Sequence, residues 1–272
     1  MRFGDSAREL TLSKCVIGLL LLGLGIAAAP AAPQPDVHEL VRRSVAATER
    51  DWEAAPLLSF RERDQLAHGS KTFEVAMLDG TPYRRLVALN DEPLTAASVR
   101  QQRQLLEKAD RIRRAESPAQ RAQRIASYEE GRRRDHLLYQ QMTAAFEFHL
   151  AGTDVLNGRP AYRLRTTPKP GYRPPNTQAQ VLTGMEGSLW IDCQTMQWAK
   201  VEAHVVRPVS IDGFLARVQP GTRFELEYAP VAAGIWEPAR FVMASHARVL
   251  FVYNRRERVS ETYSDYQPSQ PR

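Results

Sequence analysis

Apolar residues return along this chain with two periods, and the switches between them mark the elements. From Asp36 to Trp52 the period is helical: Val37, Leu40, Val41, Val45 and Ala46 share one face, with charge opposite. Asp36 suits the N-cap, Glu39 three residues on completes a capping-box pattern, and Pro56 ends the segment. The period then shortens to two. Leu57–Asp64, Lys71–Asp79 and Pro82–Asn90 read as strands, with Asp79-Gly80 as a hairpin turn.

From Thr95 to Thr143 the chain changes to Arg, Gln, Ala and Leu, with a narrow apolar stripe of Leu105, Leu106, Ile112, Ile125, Tyr128, Leu137 and Leu138. Ser117 is a good N-cap, Pro118 fits the first helical position, and Gln120 can bond back. The pattern predicts two helices, 95–115 and 118–143. The stretch Arg100–Arg134 carries 11 basic against 5 acidic residues.

Strand patterning resumes at Phe146–Leu156, turns at Asn157-Gly158 and returns over Ala161–Thr166. Four prolines make Pro168–Gln178 a loop. A further hairpin spans Gly187–Ala203 around the turn Asp192–Thr195. Simple alternation places Leu189 and Ile191 with Ala199, Val201, Ala203 and Val205, and Trp190 with Trp198, Lys200 and Glu202. Strands are expected near 209–217, 222–229, 238–253 and 257–266. Short connections favour antiparallel neighbours. A sheet of this extent must curl, and its apolar face needs cover that only the three helices can supply. The expected class is α+β: a curved antiparallel sheet, an open half-barrel, covered by an N-terminal helix and an inserted helical pair at about 95–143.

The first residues change the picture of where this domain works. Arg2, Arg8 and Lys14 precede the apolar run Cys15–Ala28, and small residues follow in Ala27–Ala32. That is the pattern of a signal peptide over 1–32, shorter than the ~20 apolar residues of a spanning helix. A single domain over 33–272, exported to the periplasm or cell envelope, is expected. It keeps one cysteine, Cys193, and so has no internal disulfide. With 37 Lys and Arg against 31 Asp and Glu, the formal charge is +6. A mildly basic exported chain can meet anionic lipid or an acidic protein. Nucleic acid is not an expected partner.

The sequence holds no recognisable catalytic constellation. The six histidines show no H-E-x-x-H spacing, and no G-x-S-x-G, P-loop or dinucleotide fingerprint occurs in the expected domain. Glu129 and Glu130 are adjacent on a helix and so face apart. No cofactor or metal site is expected. Two groups of residues are candidates for binding. Trp190, Trp198, Trp236, Phe241 and Phe251 can line an apolar hollow or pack a filled core. Arg111, Arg113, Arg114, Arg121, Arg124, Arg132, Arg133 and Arg134 can dock an anionic surface or form a solvated, salt-bridged face.

The order of motifs resembles the LolA/LolB-type superfamily of periplasmic lipoprotein carriers. The residues that carry it are the helix D-V-H-E-L-V-R-R at Asp36–Arg43 and the hairpin Asn157-Gly158-Arg159-Pro160-Ala161-Tyr162. Leu189-Trp190-Ile191-Asp192 before a turn with Thr195, and Gly234-Ile235-Trp236-Glu237-Pro238, complete the series. The resemblance runs across 36–266 and extends to secreted bacterial proteins of no assigned activity. It implies an unclosed barrel whose hollow is roofed by helices, and it transfers no ligand-binding residue. The basic pair at 95–143 departs from the compact lid of that superfamily. The reading is a non-enzymatic exported protein that holds a lipid, another apolar ligand or a lipidated protein in the hollow. The alternative is an envelope interaction or sensor domain with a filled core that docks a partner through its basic helices.

Overall fold

The computed structural model describes residues 35–211, 216–232, 234–249 and 253–269; the expected leader and Phe251 lie outside the described residues. Helix α1 spans Val37–Ala54, and Asp36 caps it by accepting from the His38 N–H at 2.9 Å. The reciprocal half of the expected capping box does not form. Glu39 turns outward to Arg42 at 2.6 and 2.8 Å instead, because an adjacent guanidinium is a stronger donor than the cap amide. Leu40, Val41, Ser44, Ala47 and Asp51 make the buried stripe.

Strands β1 (Leu58–Leu66), β2 (Gly69–Leu78) and β3 (Thr81–Leu89) follow, with a two-residue β4 (Glu92–Pro93). Asp79 and Gly80 take positive φ, 47° and 89°, which makes the tight turn between β2 and β3. Helices α2 (Ala96–Arg114) and α3 (Pro118–Ala145) match the expected insertion, and both halves of the Ser117/Gln120 capping box are present. The second half of the chain adds β5 (Phe146–Leu156), β6 (Arg159–Pro168), β7 (Met185–Asp192) and β8 (Trp198–Val205). Short β9 (Val209–Ile211) and β10 (Ala216–Val218) come next, then β11 (Arg223–Ala232), β12 (Ile235–Val249) and β13 (Tyr253–Pro268). The expected strand at 209–217 is thus two short ones that pair with each other. The expected loop ends in a 3-10 helix, Gln178–Gly184.

The described strands join one antiparallel sheet in the order β4-β3-β2-β1-β13-β12-β11-β8-β7-β6-β5, with β10 pairing off this path to β12 and β9 to β10. Its two ends do not meet, so the barrel is open. The closing pair β1/β13 joins the first strand of the chain to the last. Register shifts interrupt β1/β13, β2/β3, β5/β6, β7/β8 and β11/β12. Each such bulge bends its strand and increases the local twist, which curls the sheet.

The main core lies between this sheet and helices α1 and α3. Leu164, Leu189 and Ile191 are fully buried there, with Leu40 and Val41 of α1 above them and Tyr139 and Met142 of α3 beside. The helical pair divides its work. Helix α3 is pinned at its start to the β2–β3 turn: Arg124 bonds Asp79, Thr81 and Glu116, and Ile125 lies where a side chain at Gly80 would clash. It then runs 28 residues, about 42 Å, to reach β5. Helix α2 has no buried residue, and Val99, Leu105 and Ile112 remain exposed. Helices α1 and α3 roof the main core, and α2 lies over the first strands.

Candidate functional site

Two volumes adjoin the helices, and they differ in chemistry. The smaller, about 130 Å³, lies beneath the end of α1 and the middle of α3. Thr48, Asp51 and Trp52 face it from α1, with Ala55 just past the helix end on the same stripe, and His136 and Tyr139 face it from α3. The floor is Trp198 of β8, Tyr228 of β11, and Trp236, Glu237 and Pro238 of β12.

Bulges place this floor. In β7/β8 the register runs Trp190↔Lys200 and then Ile191↔Trp198, so Ala199 is the extra residue. The expected sharing of one face by Trp190 and Trp198 is therefore corrected. Trp198 turns inward beside Leu189, Ile191 and Val201, and its Nε1–H donates to Ser44 Oγ of α1 at 3.1 Å. Trp190 turns to the opposite face with Ala161, Ala199 and Trp236, donates to Asp154 at 2.8 Å and lies under the Lys200 ammonium. A second bulge, Glu227↔Arg240 and Tyr228↔Pro238, makes Ala239 the extra residue of β12. Phe241 packs against the main core.

The small cavity concentrates buried ionisable groups. Asp51 and Glu237 are each 8% exposed. Burial pushes Asp51 up to about 6, against the Trp236 N–H, Gln197 and Arg50, which favour its charged form. Burial pushes Glu237 up to about 8, with Asp51 adding to the rise and Arg132 opposing it. Glu237 Oε1 is buried with no hydrogen-bond partner among the described residues. The Tyr139 and Tyr228 hydroxyls bond each other, and burial holds both above the ordinary phenol value. His136 bonds Glu49 at 2.6 Å and stacks on Trp52, whose ring also carries the Arg132 guanidinium 4.4 Å from its centroid. The sequence did not single out Asp51, His136, Tyr139 or Tyr228, and it offered Glu237 only within the Gly234–Pro238 motif. One signal was legible: Asp51 lies seven residues after Ser44, on the stripe that the apolar residues of α1 define.

Glu237 gives a pH test. Its folded value lies above its unfolded one, so its contribution to stability is whole below pH 4.5 and is lost as pH rises to about 8. Glu237→Gln removes that penalty. The variant is expected to be more stable than the parent by up to about 3 kcal/mol at pH 7, with no gain at pH 4. Thermal melts of both proteins from pH 4 to 9 check this; parallel curves would refute it.

The larger volume is a cleft of about 610 Å³ between α2 and the first strands. Val99, Arg103 and Leu106 line it from α2, and Arg61, Glu74 and Arg85 from β1, β2 and β3. Arg61 is shared between Glu74 at 3.8 Å and Asp265 at 3.0 Å, and Arg85 also pairs with Glu74. Arg103 has no hydrogen-bond or ion-pair partner among the described residues. None of Trp190, Trp198, Trp236 and Phe241 lines this cleft.

The docking arginines separate into pinned and surface groups. Arg113 donates to the carbonyls of Leu78, Thr81 and Pro82, and Arg132 to that of Trp52. Arg121 and Arg124 both reach Asp79. Arg114 and Arg133 pair along their own helices with Asp110 and Glu130. Arg111 and Arg134 are exposed and have no partner among the described residues. Elsewhere, oxygens of Glu62, Asp64 and Glu261 converge within 4.8 Å, and Arg84 bridges the first two at 2.8 and 3.0 Å.

No family model matches the chain, and no curated protein does. Solved structures align with it over most of their length at low similarity. One is the LolA superfamily protein NE2245 from Nitrosomonas europaea, 10% identical, covering 86% of this chain and 93% of its own, with a TM-score of 0.31. Another is a DUF1329 family protein from Desulfovibrio piger, 8% identical, covering 84% and 92%, with a TM-score of 0.30. A third is the Pseudomonas aeruginosa MucA/MucB complex, 12% identical, covering 84% and 99%, with a TM-score of 0.23. These likenesses accompany the open-barrel architecture; at such TM-scores they decide neither ligand nor partner.

Proposed function

We propose that this is an exported, non-enzymatic binding protein that takes an amphiphile with an anionic head group into the cleft between α2 and the sheet. The observation that carries the reading is the loosely held helix α2 over a 610 Å³ space. That volume falls in the range of small-molecule sites, about 300–1,000 Å³, whereas the 130 Å³ beneath the roof does not. The lining mixes apolar Phe60, Val75 and Leu106 with polar Arg61, Glu74 and Arg103. Arg103 alone among the three cleft arginines is unpaired, which suits it to an incoming anion. The leader pattern at 1–32 supports export to the periplasm or envelope. Lipid, or the acyl part of a lipidated protein, is the matching ligand class. Docking through the basic helices has less support, since Arg113, Arg124 and Arg132 are committed to the protein's own carbonyls and carboxylates.

Uptake of a fluorescent fatty acid tests this. Arg103→Gln is expected to weaken uptake about tenfold, the equivalent of one charge-assisted hydrogen bond. Leu106→Trp is expected to abolish it by filling the cleft. Native mass spectrometry of protein from its own compartment should show a co-purified amphiphile. Unchanged uptake in both variants would overturn the assignment.

A further inference from the structure

The small cavity beneath the roof has a composition that the amphiphile cleft does not use. Five aromatic rings, Trp52, Tyr139, Trp198, Tyr228 and Trp236, come from five different elements and line it together with His136, Asp51 and Glu237. Tyr139 and Trp198 stand 5.6 Å apart between centroids at a tilt of 42°, as two walls of a corner rather than a stack. Aromatic faces carry negative potential and attract cations, most strongly where water is excluded. Two carboxylates in the same space add charge of the same sign. One of their oxygens, Glu237 Oε1, is buried and unpartnered.

We propose that this cavity is a binding site for a small organic cation, a methylated ammonium ion of the size of choline. Size, sign and hydrogen bonding each bear on the choice. A space of about 130 Å³ admits a compact ion of a few heavy atoms and excludes a lipid chain. Around Glu237 the groups are Asp51 and Glu49 of α1, Arg132, His136 and Tyr139 of α3, Tyr228 of β11 and Tyr266 of β13. The Arg132 guanidinium is engaged with the Trp52 ring and carbonyl. Glu49 is engaged with His136. Asp51 and Glu237 remain as the acidic groups in direct ion-pair contact with no cation among the described residues, while Arg50 and Arg132 act on them from further off. A primary ammonium would bring three donors and needs acceptors for them. Asp51 already accepts from the Trp236 N–H and from Gln197, so the free acceptors are few. A methylated ammonium needs no acceptor, only faces and charge. A divalent metal fits less well: among the described residues the convergent carboxylate group is Glu62, Asp64 and Glu261, elsewhere on the sheet.

Burial holds both carboxyls above their ordinary values, so the cavity gains negative charge as pH rises. A permanently charged ligand should therefore bind more tightly as pH rises through about 6 to about 8, releasing protons as it does so.

Titration of the purified protein with choline, against its uncharged isostere 3,3-dimethylbutan-1-ol, tests the site. Calorimetry and tryptophan fluorescence read it, since Trp198 and Trp236 form the wall. Choline is expected to bind, the isostere to bind at least about tenfold more weakly, and choline affinity to rise between pH 6 and 8. Glu237→Gln keeps the shape and favours the fold, and is expected to weaken choline about tenfold. Leu106→Trp, which fills the other cleft, should leave choline binding unchanged, so the two assignments fail separately. No choline binding at 50 mM, equal binding of the isostere, or a Glu237→Gln variant that binds as the parent does would overturn the proposal.

Discussion

Trp198→Ala is expected to destabilise the protein by about 3–5 kcal/mol, the range for truncating a large aromatic in a packed core. The side chain is 3% exposed and sits where sheet, α1 and α3 meet. Three losses combine. The indole leaves a void among Leu189, Ile191 and Val201, which are fixed by strand pairing and cannot close around it. The Tyr139 contact is lost. Ser44 Oγ, itself donating to the Val41 carbonyl, loses the N–H that it accepts from. Trp190→Ala, on the opposite face, leaves the helices untouched and is expected to cost less. Urea denaturation of both variants checks the ranking. A Trp198→Ala midpoint equal to that of Trp190→Ala would show that the roof is not anchored through this residue.

Asp192→Ala is expected to cost about 3 kcal/mol, as for breaking one partner out of a buried pair with added turn bonds. Asp192 is 1% exposed and closes the hairpin between β7 and β8. Its carboxylate accepts from Arg159 Nε at 2.7 Å and Nη2 at 3.0 Å. It also takes the Gln194 and Thr195 N–H groups at 3.0 and 2.8 Å, and the Thr195 hydroxyl at 2.8 Å. Arg159 opens β6, so one side chain ties two hairpins together. Burial alone would raise its pKa, but Arg159 and the turn donors overrule it and hold the carboxyl below the ordinary 3.8. The stability it supplies is therefore present above pH 3.8 and is lost as pH falls through the depressed value. Asp192→Asn keeps the turn acceptor and loses the charge, so about half the cost is expected. Melts at pH 7 and pH 3 check this: the gap between parent and Asp192→Ala should narrow in acid. Glu237 has the opposite sign, losing stability as pH rises.

Much of the architecture was legible because its causes are local. The Ser117–Gln120 box set the break between α2 and α3, and it formed as expected. Asp79-Gly80 and Asn157-Gly158 set two hairpins through positive φ. The failures were also local in place but not in cause. Glu39 had two partners within reach, and Arg42 took it. The faces of the Gly187–Ala203 hairpin were reversed for Trp198 by one extra residue, Ala199. A bulge leaves no mark in an alternating pattern, since its cost and gain depend on what lies across the strand. Helix α2 does lie over the first strands, but across a cleft and with no buried residue of its own, because an apolar stripe shows that a helix can pack, not how closely it does.

The candidate sites were less legible. Three of the proposed docking arginines, Arg113, Arg124 and Arg132, carry the same charge as their neighbours in sequence, yet backbone carbonyls 32, 45 and 80 residues away claim them. Asp51 and Glu237 are 186 residues apart, and the Gly234–Pro238 motif around Glu237 marks the entry to a strand rather than a site.

By itself the sequence determined most of the elements, their turns and caps and the antiparallel pairing of neighbours, because periodicity, capping and φ preferences act over a few residues. Tertiary structure alone decided which tryptophan faces inward, which arginines are free, how closely each helix lies on the sheet and where two carboxylates lose their water. Those depend on register and volume, and both are set only when distant segments meet and exclude solvent between them.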